Sequence, residues 1–175
     1  DSIDASLVDL KGGTTGQVLA KASGTDMDFT WTNAGGGGKV LQVVNAIYTT
    51  ETSTSSSTYA DTGLTATITP SSSTSKIMVF MTMPVYKDTT NTNGELKLIR
   101  GATTIATLSN IAINGSTSGI DVAAASINYL DSPATTSATT YKVQFASQAN
   151  SSRVVINRGG GQSNSSSITL MEIGA

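Results

Sequence analysis

The sequence contains no cysteine and no histidine. This joint absence removes disulfide stapling, thiolate nucleophiles, histidine-based triads and the common zinc sites. Aromatic residues reach only 5% and charged residues only 13%, where an average globular chain carries about a quarter charged residues. The ten Lys and Arg stand singly and the net charge is −2. With no basic stripe to neutralise phosphates, nucleic acid is a poor partner. No apolar run approaches the ~18 residues of a membrane span. The longest, Ile77 to Met83, is interrupted by Thr82 and is strand-sized, so no membrane insertion is expected. The chain opens at Asp1 with neither Met nor a signal-peptide pattern, which reads as the C-terminal portion of something longer.

Ser and Thr fill the gap, at about three in ten of the 175 residues. The surface must therefore be solvated by hydroxyls and amides rather than charges. Apolar residues at 38% suffice for one compact core. A domain that must persist outside a cell without disulfides gains stability most readily by oligomerising.

Three zones divide the chain. Residues 1–33 are short, polar and glycine-punctuated, with one alternating piece, Phe29-Thr30-Trp31, that reads as a strand. This shaft or linker segment has too little apolar surface to offset its ordering entropy and needs a partner. Residues 34–38, Ala followed by four Gly, form a hinge. They are not a phosphate-cradling loop, because Lys39-Val40-Leu41-Gln42-Val43-Val44 continues as a strand instead of a helix.

Residues 39–175 show strand signals at 40–48, 64–69, 76–86, 94–100, 103–109, 119–130, 139–148, 153–157 and 167–173, separated by polar clusters. Asp121 to Ile127 is Ala-rich, but its length and its neighbours argue for a strand over a helix. The expected fold is all-β, a jelly-roll-like antiparallel β-sandwich. Val40, Ile77, Val79, Leu96, Leu98, Val143, Phe145, Val154, Ile156, Ile168 and Leu170 alternate and should face the core. Val43-Val44, Ile77 to Met81 and Leu170-Met171 are apolar on both faces. Strands of that kind sit inside a layered structure or against another subunit.

Leu10-Lys11-Gly12-Gly13-Thr14-Thr15-Gly16-Gln17-Val18-Leu19-Ala20-Lys21, with Phe29-Thr30-Trp31 behind it, resembles the Gly-Gln-Val-Leu linker units of phage tail fibres and spikes. Downstream, Lys39 to Val44, Leu64 to Ser71, Ser75 to Val79, Leu98 to Gly101, Tyr129 to Pro133, Thr140 to Gln144 and Ile168 to Ile173 resemble in order the C-terminal head domains of phage fibres, cyanophage fibres especially. The resemblance implies a trimeric jelly-roll head, comparable in outline to complement-globular-head and tumour-necrosis-factor-like domains. It implies virion attachment through the N-terminal segment and contact with a host-surface glycan or protein. It supplies no binding residues, and neither a cofactor nor a metal is expected.

Candidate chemistry is sparse. Asp26 and Asp28 are spaced like a glycosidase pair, but no aromatic platform lies near them and solvated charges are the simpler reading. Asp61, Asp88, Asp121 and Asp131 sit at strand ends, where Asp favours turns whether or not it binds calcium. Ser75-Lys76 cannot form a dyad, since adjacent strand residues point to opposite faces. Tyr129 and Tyr141 lie within strands and should pack inside, whereas Tyr59 and Tyr86 border polar loops. Loops on a rigid sandwich usually carry recognition. Tyr59 and Tyr86, with Asn91 and Asn93 of one loop and Arg158, Gln162 and Asn164 of another, are therefore the receptor-contact candidates. No catalytic residue emerges. The alternatives are a purely structural virion part such as a head fibre, capsid decoration or collar protein, a polysaccharide-degrading spike, and a bacterial adhesin.

Overall fold

The computed structural model describes residues 12–34, 39–87, 92–114, 121–148, 152–161 and 164–174. Among these, regular structure is antiparallel strand with no α-helix. The chain divides into two compact units, Asp1–Gly38 and Lys39–Ala175.

In the first unit, β1 (Gln17–Lys21) pairs with β2 (Phe29–Asn33), setting Leu19 opposite Trp31 and Lys21 opposite Phe29. Gly13 lies beneath the indole, where an added Cβ would come within 2.7 Å of the Trp31 ring. The second glycine of the linker motif's pair thus makes room for the single Trp. Val18, Met27 and Phe29 are exposed. A hairpin of this size is marginally stable by itself.

The second unit contains β3 (Val40–Tyr48), β4 (Thr52–Thr54), β5 (Ala60–Ile68), β6 (Lys76–Lys87), β7 (Thr92–Arg100), β8 (Thr103–Asn114), β9 (Asp121–Asp131), β10 (Thr139–Ser147), β11 (Val154–Ile156) and β12 (Ser166–Ile173). One sheet runs β3-β12-β6, with β9 also paired along β6, and the short β11 pairs with the Val85–Lys87 end of β6 and carries β4 on its other side. The other sheet runs β5-β10-β7-β8. With β4 and β11 set aside, the eight long strands divide between the sheets in the order 1-8-3-6 and 2-7-4-5. That is the jelly-roll pattern, so the expected fold is the observed one.

The period-two pattern builds the core directly. Ile77, Val79, Met81, Met83 and Val85 of β6, with Ile168 and Leu170 of β12, meet Leu64, Leu96, Leu98, Tyr141, Val143 and Phe145 of the facing sheet. Each such side chain contributes about 1.5–3 kcal/mol by leaving water. Val40 is a correction, because it stands 48% exposed. A bulge between Glu172 and Ile173 shifts the pairing with β3 and breaks the alternation there.

The Ala-rich segment is a strand because β9 pairs with β6 from Ile77 to Lys87, a ladder that overrides local helix preference. Two strands were not expected. β4 carries only Thr and Ser and reads as a turn, while β1 falls in the linker motif.

Candidate functional site

Backbone pairing defines the two ends of the sandwich. Val40 pairs with Ile173, and the Gly174 N–H donates to the Lys39 carbonyl at 2.9 Å. The chain therefore enters and leaves this unit at one end, the near end. The β7–β8 turn and the β9–β10 connection lie there too, beside the Arg100–Tyr141 and Ile77–Asp131 pairs. At the far end, Tyr48 pairs with Ser166, Lys87 with Val154 and Gly94 with Ser147. The described residues of both segments proposed for recognition lie at the far end, with Asn93 a correction, since it belongs to strand β7 rather than to a loop.

The first residues after β11 are held in a defined conformation. Asn157, Gly159, Gly160 and Gly161 all have positive φ, between 51° and 80°, a region open to Gly and tolerated by Asn. Asn157 is buried, and its amide donates to the carbonyls of Tyr48 at 2.9 Å and Thr50 at 3.2 Å. The Ser166 hydroxyl donates to Asn157 Oδ1 at 2.6 Å. Glu51 accepts from the Gly159 N–H at 2.8 Å and from Arg153 at 2.7 Å. The Gly161 N–H donates to the Thr49 carbonyl at 3.1 Å.

Three of the expected residues come together on this scaffold. The Tyr86 hydroxyl donates to Asn164 Oδ1 at 3.1 Å, and Asn164 Nδ2 donates to the Arg158 carbonyl at 2.8 Å. Arg158 is half-buried. Among the described residues, no acceptor or carboxylate engages its guanidinium, unlike those of Arg100 and Arg153, which pair with Asp131 and Glu51.

Tyr59 and Asn93 form a second group. Gln148 joins them, donating its side-chain N–H to the Tyr59 hydroxyl at 3.4 Å and its backbone N–H to the Asn93 carbonyl at 3.1 Å. The Lys97 ammonium lies 3.6 Å from the Tyr59 ring centroid, within cation–π range. Burial, and then the Glu95 carboxylate, push the Tyr59 hydroxyl up to about 12. Asn91 and Gln162 lie outside the described residues.

Sequence reasoning missed Glu51, Lys97 and Gln148. Glu51 did carry a signal, as the one acid in a Ser/Thr-rich stretch. Lys97 and Tyr59 meet only across strands, which no local pattern reports.

The acidic candidates are scattered. Asp26 is exposed and 3.8 Å from Lys21, and Asp28 accepts from Ser23. Asp61 pairs with Lys142 at 2.9 Å and accepts from Gln144 at 2.7 Å. Asp131 is held at the other end by Arg100 at 2.8 Å and by the Tyr141 hydroxyl at 2.7 Å. Asp88 and the side chain of Asp121 lie outside the described residues. Among the described residues, no three acids gather into a metal-sized cluster.

The two sheets differ sharply on their outer faces. On the β3-β12-β6-β9 sheet, Val43 is opposite Met171, Met171 opposite Met78, and Met78 opposite Leu130. This unbroken apolar row crosses four strands. Val43 and Leu130 are each 56% exposed, and Leu41, Ile47 and Phe80 flank the row. The outer face of the other sheet carries Asp61, Lys142, Gln144, Lys97 and Glu95 instead.

No known protein family matches this sequence, and no curated protein does. Solved structures with similar chain traces include the infectious bursal disease virus VP2 subviral particle, at 12% identity and TM-score 0.42, covering 88% of this chain and 43% of that one. Derived T=1 particles of the same virus give 10% identity and TM-score 0.39, covering 91% and 43% respectively. The chain thus spans less than half the length of these proteins. Likeness at this level says nothing of what the chain does.

Proposed function

We propose that this chain is the distal head of a bacteriophage tail fibre, a trimeric virion component that contacts a host-surface molecule and catalyses nothing. The observation that carries this is the apolar row Val43–Met171–Met78–Leu130 on one outer face, set against a charged face on the other sheet. Four adjacent apolar side chains with large neighbours form the kind of contiguous patch that marks an interaction site on a small protein. Packing the patches of copies against one another buries it and leaves the charged sheets facing water. Three copies is the number implied by the fibre-head resemblance of Lys39 to Val44 and Ile168 to Ile173.

Topology supports the orientation. A chain that enters and leaves at the near end presents its far-end residues, Tyr59, Tyr86 of β6, Asn93 of β7, Arg158 and Asn164, away from whatever carries it. Three copies would display each loop three times, so that weak single contacts add through avidity.

Competition with virion adsorption is the direct test. Host cells preincubated with the purified chain should adsorb fewer phage, in a dose-dependent manner. Unchanged adsorption at saturating protein would contradict the receptor role and favour a purely structural virion part.

A further inference from the structure

We infer that the far end of the sandwich holds a site for acidic sugars, with Arg158 as the residue that takes the carboxylate or sulfate. This inference rests on the proposed fibre-head role and names the ligand class of its recognition surface.

The case begins with an imbalance. Arg100 and Arg153 are paired with Asp131 and Glu51, at 2.8 Å and 2.7 Å, while among the described residues Arg158 has no anionic partner. Arg158 is also half-buried, so part of its hydration is already lost. A guanidinium in that position gains more from an incoming anion than a fully solvated one.

Its backbone is held from both sides. Asn164, itself braced by the Tyr86 hydroxyl, donates to the Arg158 carbonyl at 2.8 Å, and the neighbouring Gly159 N–H donates to Glu51 at 2.8 Å. The conformational cost of binding is therefore low. Glu51, the acid that holds the Gly159 N–H, is already engaged by Arg153 as well and adds little free negative charge.

Among the described residues, there is space beside Gly159 and Gly161. An added Cβ at Gly161 would meet nothing within 4 Å, and one at Gly159 would find only Asn164 Nδ2 at 3.9 Å. A flat ring can approach bare backbone there, and the Tyr86 hydroxyl and the Asn164 amide are at hand as further polar partners.

The test uses the full chain with three immobilised polymers, namely polygalacturonate, dextran sulfate and neutral dextran. The wild-type protein should bind one or both acidic polymers, more weakly as salt rises, and bind dextran at least tenfold more weakly. Arg158→Gln should lose at least about tenfold in affinity, the worth of one charge-assisted contact, and Arg158→Lys should recover part of it. Unchanged circular dichroism is expected, because the guanidinium supports no contact within the described fold.

Equal binding by Arg158→Gln, equal binding of dextran, or no binding of either acidic polymer would each overturn the inference. If the chain blocks adsorption but binds neither acidic polymer, the acidic-sugar site falls and the fibre-head role stands. If binding depends on Arg158 but adsorption is untouched, the site stands and the fibre-head role falls.

Discussion

Glu172 shows how a single side chain can be costly to bury and still be retained. It has no exposed surface, yet its carboxylate accepts from the Ser71 N–H at 2.8 Å, the Ser71 hydroxyl at 2.6 Å and Gln42 at 2.6 Å. Burial alone would raise its pKa, but the hydrogen bonds from Ser71 and Gln42 carry it down to about 2. A carboxylate depressed on folding contributes stability above its unfolded pKa, near 4.3, and loses it as pH falls towards the folded value. Melting temperature should therefore drop between about pH 5 and about pH 2.5. Glu172→Gln should melt lower at neutral pH and show a flatter acid limb. Parallel curves for the two proteins would refute the assignment. None of this was legible beforehand, because Glu172 sits on a strand at the chain's end, Gln42 reaches it only through the long-range pairing of β3 with β12, and Ser71 reaches it only in the folded chain. Gly63 is a similar case. Its φ of +100° and the Tyr48 ring packed against it require glycine, but the sequence shows only a small residue ahead of the expected strand at 64.

At the scale of the element, alternation was readable and register was not. The inner faces of β6, β7, β10 and β12 follow from period two alone, as do Tyr129 and Tyr141 packing inward, because burial repeats every second residue. That some strands are apolar on both faces was equally plain. What could not be read is that Val43, Met171, Met78 and Leu130, far apart in the chain, share one row, since long-range pairing leaves no local trace. The bulge that exposes Val40 is invisible for the same reason. The row makes a specific prediction. Met78 lies near its centre, and a buried, unpaired carboxylate there would cost several kcal/mol at an interface. Met78→Glu should keep its strand circular dichroism spectrum but self-associate at least about a hundredfold more weakly on a sizing column. An unchanged elution volume would show that this face is not where copies meet.

For the molecule as a whole, the jelly-roll order sets which loops share an end, and so decides what the candidate residues can do together. Tyr86 is distant in sequence from Arg158 and Asn164 but joins them at the far end, while Tyr59 and Asn93 gather separately around Gln148. Strand order is what the sequence withheld; the fold class was open to inspection from composition, alternation and turn chemistry. One face apolar, one face charged and both chain connections at one end favour assembly of identical copies around the apolar sheet. The most direct measurement is the solution mass of the purified chain by light scattering on a sizing column. The expected result is a stable species near three times the 17.8 kDa chain mass, unchanged on dilution to low micromolar concentration. A clean monomer at 17.8 kDa would contradict the trimeric head and leave the apolar face without a partner of its own kind.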